Sequence, residues 1–306
     1  MLLTVVVVSY NTAALLARCL AAILAHPAGP ADGSAMELIV VDNASRDGSA
    51  ALVRERFPQA ILIANERNVG FGTACNQAIR AARGRYIALV NPDAEVQGES
   101  LAALVRFLEG HPRAAVAGGR LRYADGTFQH SSFRFPSLIQ IALDFFPLHW
   151  RLAESRLNGR YPRAWDERAH QIDHPLGAFM AVRRAAIEEV GLLDEGYFMY
   201  VEEVDWCYRF KRAGWEVWHC PDALAIHHGG QSTRQQAAAM FLELQRSRLR
   251  FYRKHYPAWF RLSARVLLGA GALAETGRGL LEGRHRPEAR TWRWQRARAL
   301  LVALQS

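Results

Sequence analysis

Through about residue 120, short apolar runs alternate with stretches of helical period, and nearly every run ends in a polar cluster. Leu3–Val8, Glu37–Val41, Ala60–Ala64, Tyr86–Val90 and Ala114–Gly118 predict strands, with helices between them. Strand, helix, strand at this spacing predicts an α/β fold whose mostly parallel sheet is covered by helices on both faces. The opening run Leu2-Leu3-Thr4-Val5-Val6-Val7-Val8 is β-branched and stops at Ser9-Tyr10-Asn11. It is too short for a signal peptide and lacks a basic lead and a small-residue cleavage site, so a buried strand is expected.

Ligands of open α/β sheets bind at the carboxyl ends of the strands. Those positions hold Ser9-Tyr10-Asn11, Asp42-Asn43-Ala44-Ser45-Arg46-Asp47-Gly48-Ser49, Asn65-Glu66-Arg67-Asn68-Val69-Gly70-Phe71-Gly72 and Asn91-Pro92-Asp93. A dinucleotide fingerprint needs glycines directly after the first strand, where Ser9-Tyr10-Asn11-Thr12 stands, which disfavours a nicotinamide or flavin enzyme.

Three clusters carry possible chemistry. Asp42, at a strand end, is placed to accept hydrogen bonds from a nucleobase or a ribose hydroxyl, or merely to cap its turn. Asp93, stiffened by Pro92, offers one hard oxygen ligand. Mg²⁺ or Mn²⁺ shares its coordination with substrate phosphates, so one protein carboxylate can suffice to bridge a diphosphate; taken alone, Asn-Pro-Asp is better accounted for as a turn. Glu202, Glu203 and Asp205 crowd one helical turn beside Phe198, Tyr200 and Trp206. Like charges so close raise the pKa of one member, which suits a general base taking a proton from an acceptor hydroxyl; acidic residues favouring a helix N-terminus account for part of the cluster. His227 and His228 precede Gly229-Gly230, and could supply a metal ligand or a donor to a diphosphate.

Residues 120–180 are less regular, with a turn at Tyr123–Gly126 and interruptions at Pro136, Pro147 and Pro162; acceptor-facing loops are expected here. Gly177–Arg183 predicts a returning strand, Glu202–Ala213 a helix ended by Gly214, and Trp215–His219 and Ala223–Ile226 two further strands. From Gln236 the pattern is helical, broken at Pro257 and near Gly283–Pro287. Arg265, Glu275 and Arg278 would each be costly in lipid, so Leu262–Leu281 predicts an amphipathic surface helix rather than a membrane span.

The formal charge of +9 sits in this tail: residues 241–306 hold 14 Lys+Arg against 4 Asp+Glu, leaving about −1 on the rest. An anionic membrane surface is the expected partner, with Trp292 and Trp294 among the anchors, although an oligomer contact or a solvated helical cap would use similar residues. No nucleic-acid-binding module is present. Cys19, Cys75, Cys207 and Cys220 form no Cys-x-x-Cys pair, and reduced thiols in a cytoplasmic protein are expected.

With these pieces in order, the sequence resembles family 2 inverting glycosyltransferases of the GT-A fold, especially bacterial rhamnosyltransferase-like members. The resemblance rests on Val5–Asn11, Val40–Ser45, Asn68–Gly72, Asn91–Asp93, Gly177–Met180, Phe198–Cys207 and His227–Thr233, and covers roughly residues 3–235. It implies a Rossmann-like GT-A domain over 1–235 with a helical extension over 236–306. Asp42 would hold the nucleoside, with Ser9, Tyr10, Asn11, Asn68, Gly70, Phe71, Asn91 and Pro92 around the donor. Asp93 would be the last aspartate of the metal motif, and Glu203 would stand where the catalytic aspartate of the family's Glu-Asp pair sits. Two departures follow: only the last carboxylate of the metal motif is present, and Glu202-Glu203 replaces Glu-Asp, which leaves the base shared between Glu203 and Asp205. The implied reaction is transfer of a sugar, dTDP-L-rhamnose being the suggested donor, onto a lipid-linked or polysaccharide acceptor at the inner membrane face. A non-catalytic nucleotide-sugar or glycan-binding protein on the same scaffold is the alternative.

Overall fold

The structure, a computed structural model, describes residues 1–29, 35–146, 155–229, 237–281 and 287–305. In chain order the strands are β1 (Leu3–Ser9), β2 (Met36–Asp42), β3 (Ile61–Ala64), β4 (Tyr86–Val90), β5 (Ala94–Gln97), β6 (Ala114–Arg122), β7 (Phe128–Gln129), β8 (Ser132–Phe133), β9 (His170–Gln171), β10 (His174–Pro175), β11 (Phe179–Arg183) and β12 (Glu216–His227). The helices are α1 (Ala13–Ala25), α2 (Ser49–Arg56), α3 (Phe71–Ala81), α4 (Ser100–Gly110), α5 (Leu138–Phe145), α6 (Arg184–Val190), α7 (Glu202–Arg212), α8 (Ala237–His255), α9 (Ala258–Leu281) and α10 (Pro287–Gln305). Two compact units result: Met1–Arg134 with Tyr161–Phe198 and Glu202–Ser232, and Phe135–Arg160 with Met199–Val201 and Thr233–Ser306.

The first unit is built on one sheet ordered β3-β2-β1-β4-β11-β6-β12-β5, with β7 on β6 and β9 on β12. Strands β1 to β4 run parallel, and Ser9 pairs in register with Asp42, so both polar strand ends reach the same rim. β1 is buried throughout, and alternation sends Leu3, Val5 and Val7 to one face, against Leu16, Cys19, Leu20 and Ile23 of α1. α3 packs on β1 and β2 with its own buried set, Ala74, Cys75, Ala78 and Ile79. This is the α/β class with a mostly parallel sheet that the periodicity predicts.

Three features depart from local expectation. β11 wedges antiparallel between β4 and β6, so the fourth and fifth expected strands are not neighbours. The two strands expected after Gly214 are one, β12, whose register against β6 shifts between Cys220 and Leu224. β5 is a further edge strand, antiparallel to β12, and its pairing sets Ala94 opposite His227. A four-residue strand with charged or polar residues at alternate positions carries too little apolar signal to be read locally.

In the second unit, α9 packs against α5 and α10. A side chain at Gly271 would drive into the Phe145 ring, so only glycine allows α5 to approach. Glu275, 1% exposed, receives Arg278 at 3.3 Å, Arg293 at 3.2 Å and Arg296 at 3.5 Å. One buried carboxylate surrounded by guanidinium groups pins α10 to α9. The expected break near Gly283–Pro287 falls between these helices and lies largely outside the described residues. All four cysteines are buried and unpaired.

Candidate active site

The rim end nearest β1 and β2 is shaped by side chains that replace missing backbone partners. Asn11 (φ 53°) and Ala44 (φ 67°) take left-handed conformations. Asn11 donates its N–H to Ser45 Oγ at 2.9 Å, and its Oδ1 accepts from Arg46 N at 2.8 Å. Asp47 accepts from Ala13 N at 2.7 Å and from Ser49 N at 3.1 Å, tying the start of α1 to the turn before α2. Ser9 is fully buried and shares a hydrogen bond with Thr12, while Tyr10 is half-buried beside it.

Asp42 is 3% exposed, and its Oδ2 accepts from Ser45 N at 3.0 Å, the turn-capping role. Its Oδ1 is buried with no hydrogen-bond partner among the described residues. A buried acceptor left unpaired is costly, and the N–H of a base or the O–H of a ribose would satisfy it. Behind it, Asn43 joins three segments. Its Nδ2 donates to Asn68 Oδ1 at 2.8 Å, and its Oδ1 accepts from Asn65 Nδ2 at 3.1 Å and Val69 N at 3.0 Å. Asn68 Oδ1 also accepts from Gly70 N at 3.0 Å. Gly70 sits at φ +85°, where a Cβ would come within 2.6 Å of the Phe198 carbonyl oxygen, and Phe71 N donates to that oxygen at 2.9 Å. The glycine is required both by its conformation and by this close approach.

At the end of β4, Asn91 N donates to Ala178 O at 2.9 Å and Ala94 N to Asn91 O at 3.0 Å, which folds Asn91-Pro92-Asp93 into a tight turn leading into β5. The pairing of β5 with β12 then delivers His227, whose Nε2 lies 3.3 Å from Asp93 Oδ1, with both residues buried. His227 Nδ1 meets Gln129 Oε1 at 3.2 Å. With a cation bound between His227 and Asp93, a proton on Nδ1 would be donated to Gln129 and the Nε2 lone pair would serve as the ligand. His228 is directed elsewhere: its Nε2 lies 2.7 Å from Glu95 Oε1, which also receives Arg18 at 2.6 Å. Of the two histidines, the structure brings His227 to Asp93. The residues Gly230–Thr233 of the same motif lie outside the described residues.

A carboxylate oxygen and an imidazole nitrogen converging in this way fit a divalent cation, Mn²⁺ more readily than Mg²⁺ because of the nitrogen ligand. Among the described residues no cluster of three or more His, Cys, Asp or Glu forms a complete metal cage. The remaining ligands of a cation at Asp93 and His227 would be diphosphate oxygens and water.

The acidic cluster separates into three environments. Tyr200 (φ 67°) and Val201 (φ 70°) immediately precede α7, an unfavourable conformation for a β-branched residue and a local store of strain. Glu202 is buried, with no hydrogen-bond partner for Oε2 among the described residues; burial, and then the charge of Glu203, pushes its carboxyl well above the ordinary range. Glu203 is half-buried, and its side chain lies against Gly177, where an added Cβ would stand 3.4 Å from its Cγ. Burial raises its pKa too, opposed by backbone N–H groups of Glu203, Val204 and Gly177. Asp205 is fully buried and spoken for: Arg209 Nε donates to it at 2.8 Å and the Tyr197 hydroxyl at 3.3 Å. Since Asn91 is bonded to Ala178, the segment that carries Gly177 lies beside both Glu203 and the Asp93 turn.

Gln129, Glu95, Tyr197 and Arg209 were not singled out in the sequence. Gln129 reaches His227 across 98 positions and lies on a two-residue strand, so no local pattern points to it. Arg209 was discoverable, standing four residues after Asp205 on a predicted helix, the spacing of an intrahelical ion pair.

Residues 4–191 match the domain described as Glycosyl transferase family 2. The chain belongs to glycosyl transferase family 2. Its relatives include the N-acetylglucosaminyl-diphospho-decaprenol L-rhamnosyltransferase of Mycobacterium tuberculosis, 30% identical over 294 residues, covering 89% of this chain and 90% of that one. Rhamnosyltransferase WbbL of Escherichia coli is 28% identical over 176 residues, 54% of this chain and 63% of that protein. Among solved structures, the mannosyltransferase PcManGT of Pyrobaculum calidifontis, in complex with GDP-Man and Mn²⁺, has a TM-score of 0.58 at 21% identity, covering 98% of this chain and 85% of that one. GalNAc-T7, with UDP, GalNAc and Mn²⁺, has a TM-score of 0.56 at 16% identity, covering 81% of this chain and 47% of that longer one. As a family 2 glycosyltransferase the chain has the GT-A fold, with the strand-end rim described above.

Proposed function

We propose that this glycosyltransferase acts by single displacement in cell-envelope glycan synthesis, with L-rhamnose carried by dTDP as donor sugar and a lipid-linked diphosphate sugar or growing polysaccharide as acceptor. The observation that carries the reading is the convergence on one rim of an unpaired buried acceptor at Asp42, the Asp93–His227 pair, and the carboxyl of Glu203. The choice of sugar and acceptor is supported by 30% identity, over nearly the whole length of both proteins, to an enzyme whose name states an L-rhamnosyl transfer to a decaprenyl-diphosphate-linked sugar.

In this reading Asp42 Oδ1 accepts from the nucleoside, and the backbone of Asn91-Pro92-Asp93 lies along the diphosphate. A divalent cation held by Asp93 and His227 would neutralise charge on the departing nucleoside diphosphate. Glu203 takes the proton of the acceptor hydroxyl as it attacks the anomeric carbon, since it is the member of the acidic cluster that is both partly accessible and, among the described residues, free of a salt bridge. Its raised pKa makes it a stronger base than an ordinary carboxylate. Asp205 positions α7 through Arg209 and Tyr197, and Glu202 supplies a neutral, desolvated neighbour. One displacement inverts the anomeric centre.

The test is turnover of a panel of nucleotide sugars with a short-chain polyprenyl-diphosphate acceptor, with and without Mn²⁺. Metal-dependent release of dTDP and an inverted product support the reading. A covalent glycosyl-enzyme, or a product with the donor's anomeric configuration, contradicts it.

A further inference from the structure

The helical unit exposes an apolar stripe that its own packing leaves uncovered. α9 turns Phe260, Ala264, Leu268, Gly271, Ala272, Glu275 and Gly279 inward, toward α5 and α10. On the opposite side stand Trp259 (64% exposed), Leu262 (66%), Val266 (63%), Leu273 (76%) and Leu280 (66%), followed by Leu281 (88%). Intervals of three, four and seven residues place these side chains on one helical face. A helix of 24 residues carries such a stripe for roughly 36 Å. Scattered exposed leucines need no explanation, but a continuous line of this length does.

The charge beside the stripe indicates what covers it. Arg261 and Arg265 are exposed on the same turns of α9 as Leu262 and Val266, Arg265 also donating to Leu304 O at 3.0 Å, and Arg253 and Lys254 are exposed at the end of α8, just before the helix begins. They belong to a segment of net +10, while the remaining 240 residues are close to neutral. A second copy of this chain would bring the same positive charge against itself, whereas an anionic bilayer offers acyl chains to the leucines and phosphates to the arginines. Among the described residues no helix is long and apolar enough to cross a membrane, and a helix apolar along one face meets a bilayer in the plane of the interface. Trp292 and Trp294 of α10 are partly engaged in packing: Trp292 meets Phe241 edge-on, and Trp294 lies against Gly279.

We infer that the Trp259–Leu281 face of α9, with Arg261 and Arg265 beside it, is a docking surface for an anionic phospholipid bilayer. The inference rests on the reading of a lipid-linked acceptor for its purpose, but on α9 alone for its geometry. Insertion buries the stripe to the depth of the headgroup boundary, and the flanking guanidinium groups pair with lipid phosphates.

The experiment is sedimentation of the full chain with vesicles of phosphatidylglycerol and phosphatidylcholine, against vesicles of phosphatidylcholine alone. Wild type is expected to bind the anionic vesicles, and less so as salt rises. Leu262→Glu/Val266→Glu/Leu273→Glu is expected to bind them at least about a hundredfold more weakly, from the loss of three buried apolar side chains. Arg261→Glu/Arg265→Glu, which leaves the stripe intact, should weaken binding about tenfold or more. Circular dichroism of both variants checks that the exposed substitutions leave the helices formed. Vesicle binding by the stripe variant equal to wild type would overturn the proposal. So would a wild type that ignores vesicles but forms a dimer broken by the stripe substitutions, which gives the face to a second copy. Transfer to a water-soluble acceptor is measured in parallel. If no nucleotide sugar is turned over while the stripe variant still loses the vesicles, the transferase reading falls and the docking surface stands.

Discussion

His227 Nε2 stands 3.3 Å from Asp93 Oδ1, two residues separated by most of the catalytic unit and joined through the pairing of β5 with β12. If the pair holds a divalent cation, Mn²⁺ affinity measured by the electron paramagnetic signal of the free ion should fall sharply in Asp93→Ala and His227→Ala. Gln129→Ala, which removes only the partner of Nδ1, should weaken it about 10- to 100-fold. His228→Ala is the control, since its imidazole meets Glu95, and equal loss in that variant would break the assignment.

Glu203 and Asp205 lie two residues apart on α7 and should fail in different ways. Glu203→Gln is expected to lower transfer by about 10²- to 10⁴-fold with nucleotide-sugar binding retained. Asp205→Asn leaves Arg209 without its carboxylate partner in a buried site, and should cost about 3–5 kcal/mol of stability, read as a lower urea midpoint. Loss of turnover in Asp205→Asn at unchanged stability would return the base role to that residue.

The pH dependence carries a sign. A base must be ionised to work, and burial raises the Glu203 carboxyl above its ordinary value of 4.5, so transfer should rise with pH through a limb centred above that value. Glu202 acts on stability. Its folded pKa is raised, so its contribution is fully present below the unfolded value and is lost as pH rises through the folded one. Glu202→Gln escapes that loss, and its Tm relative to wild type should climb with increasing pH. A difference that stays flat with pH would show that Glu202 is not held neutral.

Gly70→Ala should destabilise the rim by more than about 1 kcal/mol, because an alanine at φ +85° is strained and its Cβ would press on the Phe198 carbonyl. Nucleotide binding, followed by fluorescence titration, should weaken along with thermal stability. Gly48→Ala, also at positive φ but with open space around it, should cost less.

Much of this protein follows from local pattern. Buried parallel strands are uniformly apolar, and a strand must stop where its polar residues begin. The alternation therefore reveals the first four strands, their helices and the rim formed by Ser9, Asp42, Asn68 and Asp93 without any knowledge of packing. The strand boundaries agree within a residue or two, and the tail helices break where Pro257 removes a backbone donor.

Other relations depend on residues far apart in the chain. β11 enters between β4 and β6 because a returning strand fills a gap whose neighbours lie some ninety and sixty positions earlier, a pairing to which no periodicity refers. His227 and His228 are indistinguishable by composition, and the alternating pleat of β12 with its turn toward β5 sends one to Asp93 and the other to Glu95. In the acidic cluster, a helix places Asp205 inward over Arg209 and leaves Glu203 half-buried beside Gly177. Sequence spacing brings carboxylates together; burial and partners, which exist only once the chain has folded, separate Asp205, held by Arg209, from Glu203, the proposed base.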